Sequence, residues 1–292
     1  MLIETCLDRQ INRLIDLVAR ACQSLGHSVD RWYRHKTALI PACDVIFWWG
    51  NNQSKEIQER SVASGARIIY MELGWTLDRD SCLQMDTQGT GPLVSWANDP
   101  LVWSREESLR VKSDGDLLVV LGYEGFDIKS RPLTSPYFAC NLEWMQHLQQ
   151  ASRMRFRLRP HPRTRPDRLA DLKSYAEEQG LLWDTEGTIK EALDASRAVA
   201  VLDSVCAIQA LELSLPVLLY GQQVCHHPGV VFCMNDSLEL TAGVTQKIAG
   251  SRELNDLNVG AIKALLYRVW EKQWYSHKVD EWPGRLRREF GL

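Results

Sequence analysis

Short apolar runs rich in β-branched residues alternate with stretches of helical periodicity along most of this chain. Such alternation is typical of parallel β-sheets whose strands are joined by crossover helices. The 292 residues, 45% of them hydrophobic, are enough for two domains that each bury a core. We therefore predict an α/β protein with two Rossmann-like domains that face each other across a cleft.

The first predicted domain covers residues 1–113. It opens with apolar residues at helical spacing, and "CDVIFWWG" (43–50) then predicts a buried strand. The stretch "SKEIQERSVASG" (54–65) predicts a helix that ends at its last glycine, and "ARIIYMELGW" (66–75) predicts the next strand. The stretch 99–116 is polar enough to contain the domain boundary, which we place after residue 113.

A second series of strands and helices forms the predicted domain 114–292. Its predicted strands are 116–123, 155–160, 181–184, 198–203 and 216–221, and its predicted helices are 135–152, 166–180, 188–196 and 205–214. Ser135 could cap the first of these helices, with Pro136 in its first turn. The amphipathic stretch 261–290 predicts C-terminal helices that close over the first domain, and contact with a membrane surface is the alternative.

The balance of charge restricts the partners of the chain. With 34 Lys and Arg against 37 Asp and Glu, nothing attracts nucleic acid or an anionic membrane in general, so no nucleic-acid partner is expected. Eight scattered cysteines without a CxxC pair favour reduced thiols over a disulfide framework or a zinc site. No window is long and apolar enough to span a membrane, and we predict a cytoplasmic location.

One short stretch departs from this balance. "RFRLRPHPRTRP" (155–166) holds five arginines and one histidine among twelve residues. His161 stands where the predicted strand ends, and a proline on each side restricts the backbone, so its imidazole would point in a nearly preset direction. Arg159 and Arg163 could add charge-assisted hydrogen bonds to a phosphate or a carboxylate. The alternative is a solvated basic loop in which His161 caps the next helix.

Two further positions follow predicted strands. Ser204 lies between a buried strand and a helix, where a hydroxyl and backbone N–H groups could receive an anion, although plain helix capping is an equal alternative. Glu72 ends an apolar strand at the edge of the first domain. Burial there would favour the protonated carboxyl and suit proton transfer, and the alternative is an ordinary ion pair with an arginine.

Several short motifs occur in an order and spacing that resemble a known family. They are "MELGW", "DTQGTGPLVS", "LLVVLGYEGFD", "RLRPHP" and "DSVCAIQALELSLPVLLYG", between about residues 66 and 221. Together they resemble the capsule and lipopolysaccharide glycosyltransferases that use CMP-sugars, most of all the bacterial β-Kdo transferases. The resemblance implies a GT-B arrangement and retaining transfer of Kdo, or a similar 2-keto acid sugar, to a surface polysaccharide. CMP-sialic acid or a UDP- or GDP-sugar as donor, and a non-catalytic sugar-nucleotide scaffold, are the alternatives.

The resemblance also implies roles for residues on the donor side. His161 and Ser204 would contact the CMP phosphate. The basic stretch itself adds Arg159, Pro162 and Arg163 to the expected donor site, and Arg157, Arg159 or Arg163 could also meet the carboxylate of the donor sugar. Gln209 stands where the family has a glutamate and could hydrogen-bond the ribose without charge. The glutamine usual in the opening strand of the second domain is absent, since "VLGYEGFD" has Gly122 and Tyr123 there.

The catalytic carboxylates implied by the resemblance are Asp127 and Glu72. A retaining transfer needs one carboxylate to attack the anomeric carbon and a second group to deprotonate the acceptor, so Asp127 is assigned as nucleophile and Glu72 as acid/base. The structural alternatives are an Asx-turn at Asp127 and an ion pair at Glu72. The expected partners are a nucleotide-sugar donor and a glycan acceptor. Peripheral association with the inner face of the membrane, or with a polysaccharide synthesis complex, is left open.

The remaining motifs carry weaker signals. Asp78 and Asp80 have the D-x-D form of some metal-dependent transferases, but we expect a solvated turn there and no obligatory metal. His226 and His227 lack a third ligand nearby in sequence, and we expect them in a loop near the donor rather than in a zinc site. Trp75, close to Glu72, could stack on a sugar face.

Overall fold

The computed structural model describes residues 1–4, 9–32, 43–50, 65–103, 106–124 and 135–292. These residues form two compact units, the first made of residues 1–98 and 269–292 and the second of residues 99–268. The division differs from the predicted boundary after residue 113, and it groups the end of the chain with the first unit.

Two contacts explain this division. A short antiparallel pair, β6 (Ser108–Arg110) and β13 (Glu253–Asn258), ties the segment before residue 113 to the second unit. At the end of the chain, Trp274, Trp282 and Phe290 belong to the hydrophobic core of the first unit. The C-terminal segment therefore packs onto the first domain, as the amphipathic pattern predicted.

The first unit contains a six-stranded mixed sheet in the order β14-β5-β4-β3-β1-β2. Its strands are β1 (Leu2–Glu4), β2 (Asp30–Trp32), β3 (Val45–Trp49), β4 (Arg67–Leu73), β5 (Cys82–Asp86) and β14 (Trp274–Tyr275), and its helices are α1 (Arg9–Ser24) and α8 (Trp282–Phe290). Strands β1 to β4 run parallel to one another, and β5 runs antiparallel to β4 and to β14.

Alternating side chains of the central strands divide between the two faces of this sheet. Phe47, Met71 and Leu83 lie in the larger core, which also contains residues of α1 and α8. Trp48 and Tyr70 belong to a second, smaller cluster. Since side chains alternate with a period of two, Glu72 shares the face of Tyr70 and Trp48 rather than that of Met71.

The second unit contains a six-stranded sheet in which every neighbouring pair is parallel. Its strands are β7 (Asp116–Val120), β8 (Phe156–Arg159), β9 (Leu182–Trp183), β10 (Ser196–Val201), β11 (Val217–Leu219) and β12 (Phe232–Cys233). Its helices are α2 (Asn141–Ala151), α3 (Pro166–Glu178), α4 (Ile189–Asp194), α5 (Cys206–Glu212), α6 (Leu238–Gly250) and α7 (Val259–Lys272), which runs into the first unit.

The order of these strands, β12-β11-β10-β7-β8-β9, is the Rossmann order 3-2-1-4-5-6 read in reverse. The chain reverses direction across the sheet between β7 and β10, which are neighbours. In such sheets a ligand binds beyond the carboxyl ends of the strands at this switch point. The α/β class predicted from the sequence is confirmed.

Some local predictions need correction. The chain opens with the short strand β1, and its first helix begins only at Arg9. The helix predicted from residue 135 begins at Asn141, and the Ser135 hydroxyl donates to the carbonyl of Tyr220 instead of capping that helix. Strand β5 was not predicted, and the helix predicted at 54–65 lies almost wholly outside the described residues. Within the described part of the chain, no helix has both the length and the apolar character to cross a membrane.

Candidate functional site

The loops after β7 and β8 meet at the carboxyl edge of the second sheet. β7 and β8 are parallel neighbours, with Val120 opposite Arg159, so the residues that follow them emerge side by side. The rings of Tyr123 and His161 are 5.3 Å apart between their centres and inclined at 59°. The predicted edge of the second domain is therefore present, with the histidine of the basic stretch on it.

A hydrogen bond fixes the orientation of the His161 ring. The backbone N–H of Arg163 donates to Nδ1 of His161 at 3.1 Å. An Nδ1 atom that accepts a hydrogen bond carries no proton, so the proton of the neutral imidazole is on Nε2. The neutral His161 ring therefore carries its N–H on Nε2, and such a group can donate to an anionic oxygen. The alternative that this imidazole caps the next helix is not what the structure shows, since α3 has no side-chain cap.

Arg163 adds a positive charge beside this ring pair. Its guanidinium carbon lies over the Tyr123 ring at 6.0 Å from the ring centre, and the side chain is exposed. Pro162, between Arg163 and His161, is also exposed and contributes backbone restriction to the loop. We call the three residues Tyr123, His161 and Arg163 the basic edge.

The other arginines of the basic stretch are engaged within the unit. Arg157 and Arg159, two positions apart on β8, donate to the two carboxylate oxygens of Asp184 at 2.7 and 2.8 Å. Arg159 also donates to the carbonyls of Glu186 and Gly187. These side chains are only 13% to 17% exposed. Both arginines thus help to hold the end of β9, the outermost strand, against β8. The sequence did not reveal this structural role.

Two buried polar side chains, Asn141 and Glu124, hold the loop after β7 in place. The Asn141 side chain accepts the N–H of Gly122 and donates to its carbonyl, both at 2.9 Å. The Glu124 carboxylate accepts the backbone N–H of Asn141 at 2.6 Å and so occupies the start of α2. Neither residue was predicted from the sequence, where a polar residue inside apolar surroundings was the available signal.

Ser204 and Gln209 follow β10, the other strand at the switch point. Ser204 is half-buried, and its hydroxyl accepts the backbone N–H of Cys206 at 3.2 Å, as a helix-starting serine does. Gln209 is only 2% exposed, inside α5, so its amide is not presented on the surface of the unit. The structure places Ser204 on the predicted edge and gives Gln209 a buried position.

The loop after β11 lies on the same edge, since β11 is the parallel neighbour of β10. Nδ1 of His226 is 2.9 Å from Oε1 of Gln222. Burial, with a smaller contribution from His227, lowers the pKa of His226. In the described residues, no group of three His, Cys, Asp or Glu side chains could hold a metal ion.

In the first unit, Glu72 lies near the carboxyl end of β4 and is half-buried. Its Oε2 atom accepts a hydrogen bond from the Thr90 hydroxyl at 2.8 Å. Thr90 belongs to the stretch "DTQGTGPLVS", which sequence analysis used for the resemblance without giving its residues a role. Among the described residues, no arginine or lysine forms an ion pair with Glu72, so the ion-pair alternative is not what the structure shows.

The structure corrects the role suggested for Trp75. This side chain is 1% exposed, packs edge-on against Trp96 at 5.3 Å between ring centres, and cannot stack on a sugar. Its backbone N–H donates to the buried Gln273, which is distant in sequence. Asp78 and Asp80 are exposed residues at a short 3-10 turn, as expected. Asp127 lies outside the described residues, and its assignment stays a prediction.

The strand order defines a parallel α/β sheet of the Rossmann type, and Tyr123, His161 and Arg163 lie at the carboxyl ends of its strands near the switch point. No protein-family model matches the chain, and no curated protein sequence does.

Among solved structures, the fold is similar to two from Thermosulfurimonas dismutans. One is described as KpsC, beta Kdo 2,7 transferase, with a TM-score of 0.50, 15% sequence identity, and coverage of 91% of this chain and 99% of that chain. The other is described as KpsC, beta Kdo 2,4 transferase, with a TM-score of 0.51, 12% identity, and coverage of 83% and 89%. The resemblance to β-Kdo transferases inferred from the sequence is confirmed at the level of the fold.

Proposed function

We propose that this protein is a retaining glycosyltransferase that moves Kdo, or a similar 2-keto acid sugar, from a CMP donor to a bacterial surface polysaccharide. The observation that carries the proposal is the likeness of fold to two β-Kdo transferases over most of the chain. The basic edge supports it independently, because it gathers an N–H donor and a guanidinium at the nucleotide-binding end of a Rossmann sheet. The proposal includes the GT-B arrangement, in which donor and acceptor bind between two Rossmann-like domains.

In this proposal the phosphate of the donor binds to the basic edge. Nε2–H of His161 donates to a phosphate oxygen, the Arg163 guanidinium neutralises its charge, and Ser204 adds a hydroxyl from β10. Arg159, held by Asp184, stiffens the strand end and the loop beside it instead of binding the phosphate directly. The buried Gln209 has no place in the donor site.

The chemistry needs two carboxylates. The Asp127 carboxylate attacks the anomeric carbon, and the bond from that carbon to the phosphate oxygen breaks, so that CMP leaves with the electron pair. The acceptor hydroxyl then gives its proton to Glu72 and attacks the same carbon, which displaces Asp127. Two inversions give net retention. Cationic side chains can neutralise the single phosphate of the leaving CMP, so we propose no obligatory metal.

We propose that the reaction takes place in the cytoplasm, where CMP-sugars would be available to a protein with reduced thiols. The acceptor is a growing glycan. Attachment to the inner face of the membrane, or to a polysaccharide synthesis complex, would bring the protein to that acceptor.

The proposal is tested by incubating the purified protein with CMP-Kdo and a Kdo-terminated oligosaccharide acceptor, with and without EDTA. We expect CMP release and a product of retained anomeric configuration by NMR, both unaffected by EDTA. Glu72→Gln should be inactive, and Asp78→Asn, at the exposed turn, is the matched control with full activity. Turnover only with CMP-sialic acid, a UDP-sugar or a GDP-sugar would show that this nucleotide-sugar, and not CMP-Kdo, is the donor. Binding without turnover of any donor would support the non-catalytic scaffold alternative.

A further inference from the structure

The hydrogen bond between Thr90 and Glu72 is made by a hydroxyl that is inaccessible to solvent. Thr90 is 0% exposed, and its Oγ1 lies 2.8 Å from Oε2 of Glu72. A buried hydroxyl so close to a carboxyl oxygen has a defined direction, because it has lost its own hydration and this contact satisfies it. The contact joins a residue of β4 to a loop that follows β5.

Thr90 stands at a position where its hydroxyl could cap a turn of its own loop. Thr90 precedes the 3-10 turn Gly91–Leu93, where threonine usually caps the turn with its own hydroxyl. Here the hydroxyl makes no capping bond, and the N–H of Gly91 donates to the side chain of Gln84 at 2.7 Å. The Thr90 hydroxyl therefore does not cap its own turn and points to Glu72 instead.

The loop that carries Thr90 is braced on both sides. Gln84, opposite Glu72 in the pairing of β4 with β5, also donates to the carbonyl of Leu73 at 2.8 Å. Asp86 accepts the backbone N–H groups of Gln88 and Ser95 and the Ser95 hydroxyl. Gln84 and Asp86 are 1% and 6% exposed, so these bonds are strong and hold the loop in one conformation.

We propose that Thr90 is a positioning residue for Glu72, and that its hydroxyl fixes Oε2 of the carboxylate so that Oε1 is directed to the acceptor hydroxyl. This inference rests on the proposed function, since it assigns the base of that reaction a partner. One oxygen is occupied by Thr90, and the other receives the proton of the acceptor.

The test compares kcat and KM of the wild type, Thr90→Val and Thr90→Ser, with CMP-Kdo as donor. Valine removes the hydroxyl at nearly constant volume. We expect a loss of kcat of about 10- to 100-fold with KM for CMP-Kdo unchanged. Thr90→Ser should restore the wild-type kcat, and Thr87→Val, at an exposed position of the same loop, should change neither constant. Thr90→Ala carries the same expectation as valine if the valine variant does not fold.

A wild-type kcat in a folded Thr90→Val protein would overturn the inference even if Glu72→Gln is inactive. A kcat of Thr90→Ser as low as that of Thr90→Val would overturn it as well. Full activity of Glu72→Gln would instead overturn the role of Glu72 in the proposed function.

Discussion

The backbone N–H of Arg163 donates a hydrogen bond to Nδ1 of His161 at 3.1 Å. Because this bond uses the main chain, the orientation of the imidazole does not depend on the Arg163 side chain. The flanking prolines restrict the same backbone. The charge at position 163 and the ring at position 161 can thus be tested separately.

We expect Arg163→Ala to weaken CMP binding about 10- to 100-fold, since hydrogen bonds to charged groups contribute about 1.5 to 3 kcal/mol. The variant keeps the N–H that orients His161, so its effect reports the guanidinium alone. Isothermal titration with CMP measures the change. Arg165→Ala is the matched control, because the Arg165 guanidinium pairs with Asp167 at an exposed position and should leave the affinity unchanged. Equal affinities of the two variants would remove Arg163 from the donor site.

Asp127→Asn should lower the rate of sugar transfer at least about 1000-fold, because the amide cannot attack the anomeric carbon. CMP affinity should stay at the wild-type value, since the nucleophile does not contact the nucleotide in the proposed reaction. Transfer is followed by CMP release and binding by calorimetry. An Asp127→Asn protein that still transfers sugar would show that the nucleophile is another group.

Asp184→Asn should destabilise the second unit by about 2 to 4 kcal/mol. The change leaves the largely buried guanidinium groups of Arg157 and Arg159 without their counter-charge, and breaking a buried pair costs more than an exposed one. Urea unfolding measures the free energy. Asp167→Asn, which breaks the exposed pair with Arg165, is the control and should cost less than about 1 kcal/mol. Equal losses of unfolding free energy in the two variants would mean that Asp184 does not hold β9 against β8.

His147 makes the stability of the second unit depend on pH. Its ring is 8% exposed, and Nε2 lies 2.9 Å from the Thr241 hydroxyl. Burial lowers the pKa of His147, against a smaller opposite effect of Asp236. The unfolded chain therefore binds a proton more readily than the folded one. The free energy of unfolding should fall as the pH drops below the ordinary histidine range and level off below the lowered pKa.

Urea unfolding between pH 4.5 and pH 8 checks this expectation. The contribution of His147 is the part of the pH dependence that disappears in His147→Gln, which keeps a polar group near Thr241 without a titrating ring. A His147→Gln protein with the same pH dependence as the wild type would contradict the assignment.

The edge of the second sheet could be predicted from the sequence because the alternation of strands and helices determines which loops emerge together. His161, Ser204 and the loop after β7 were placed on one edge by that rule alone. What local patterns could not show is how each side chain is used. Arg159 fits a phosphate ligand equally well until Asp184, 25 residues later, is seen to hold it.

The first unit shows the same limit in another form. Glu72 was found because a carboxylate stands at the end of an apolar strand, but its partner Thr90 depends on a loop that folds back over β5. Trp75 was assigned to a sugar because an aromatic ring beside a carboxylate fits that use. Its burial against Trp96, and the bond from its backbone to Gln273, depend on contacts between distant parts of the chain.

Calorimetric titration of CMP into the wild-type protein and into His161→Ala tests the central claim, that the basic edge binds the phosphate of a cytidine nucleotide, most directly. We expect saturable binding of one CMP to the wild type and a loss of affinity of about 10- to 100-fold in His161→Ala, with Arg165→Ala unchanged. No binding to the wild type, or equal affinity of the wild type and His161→Ala, would contradict the claim.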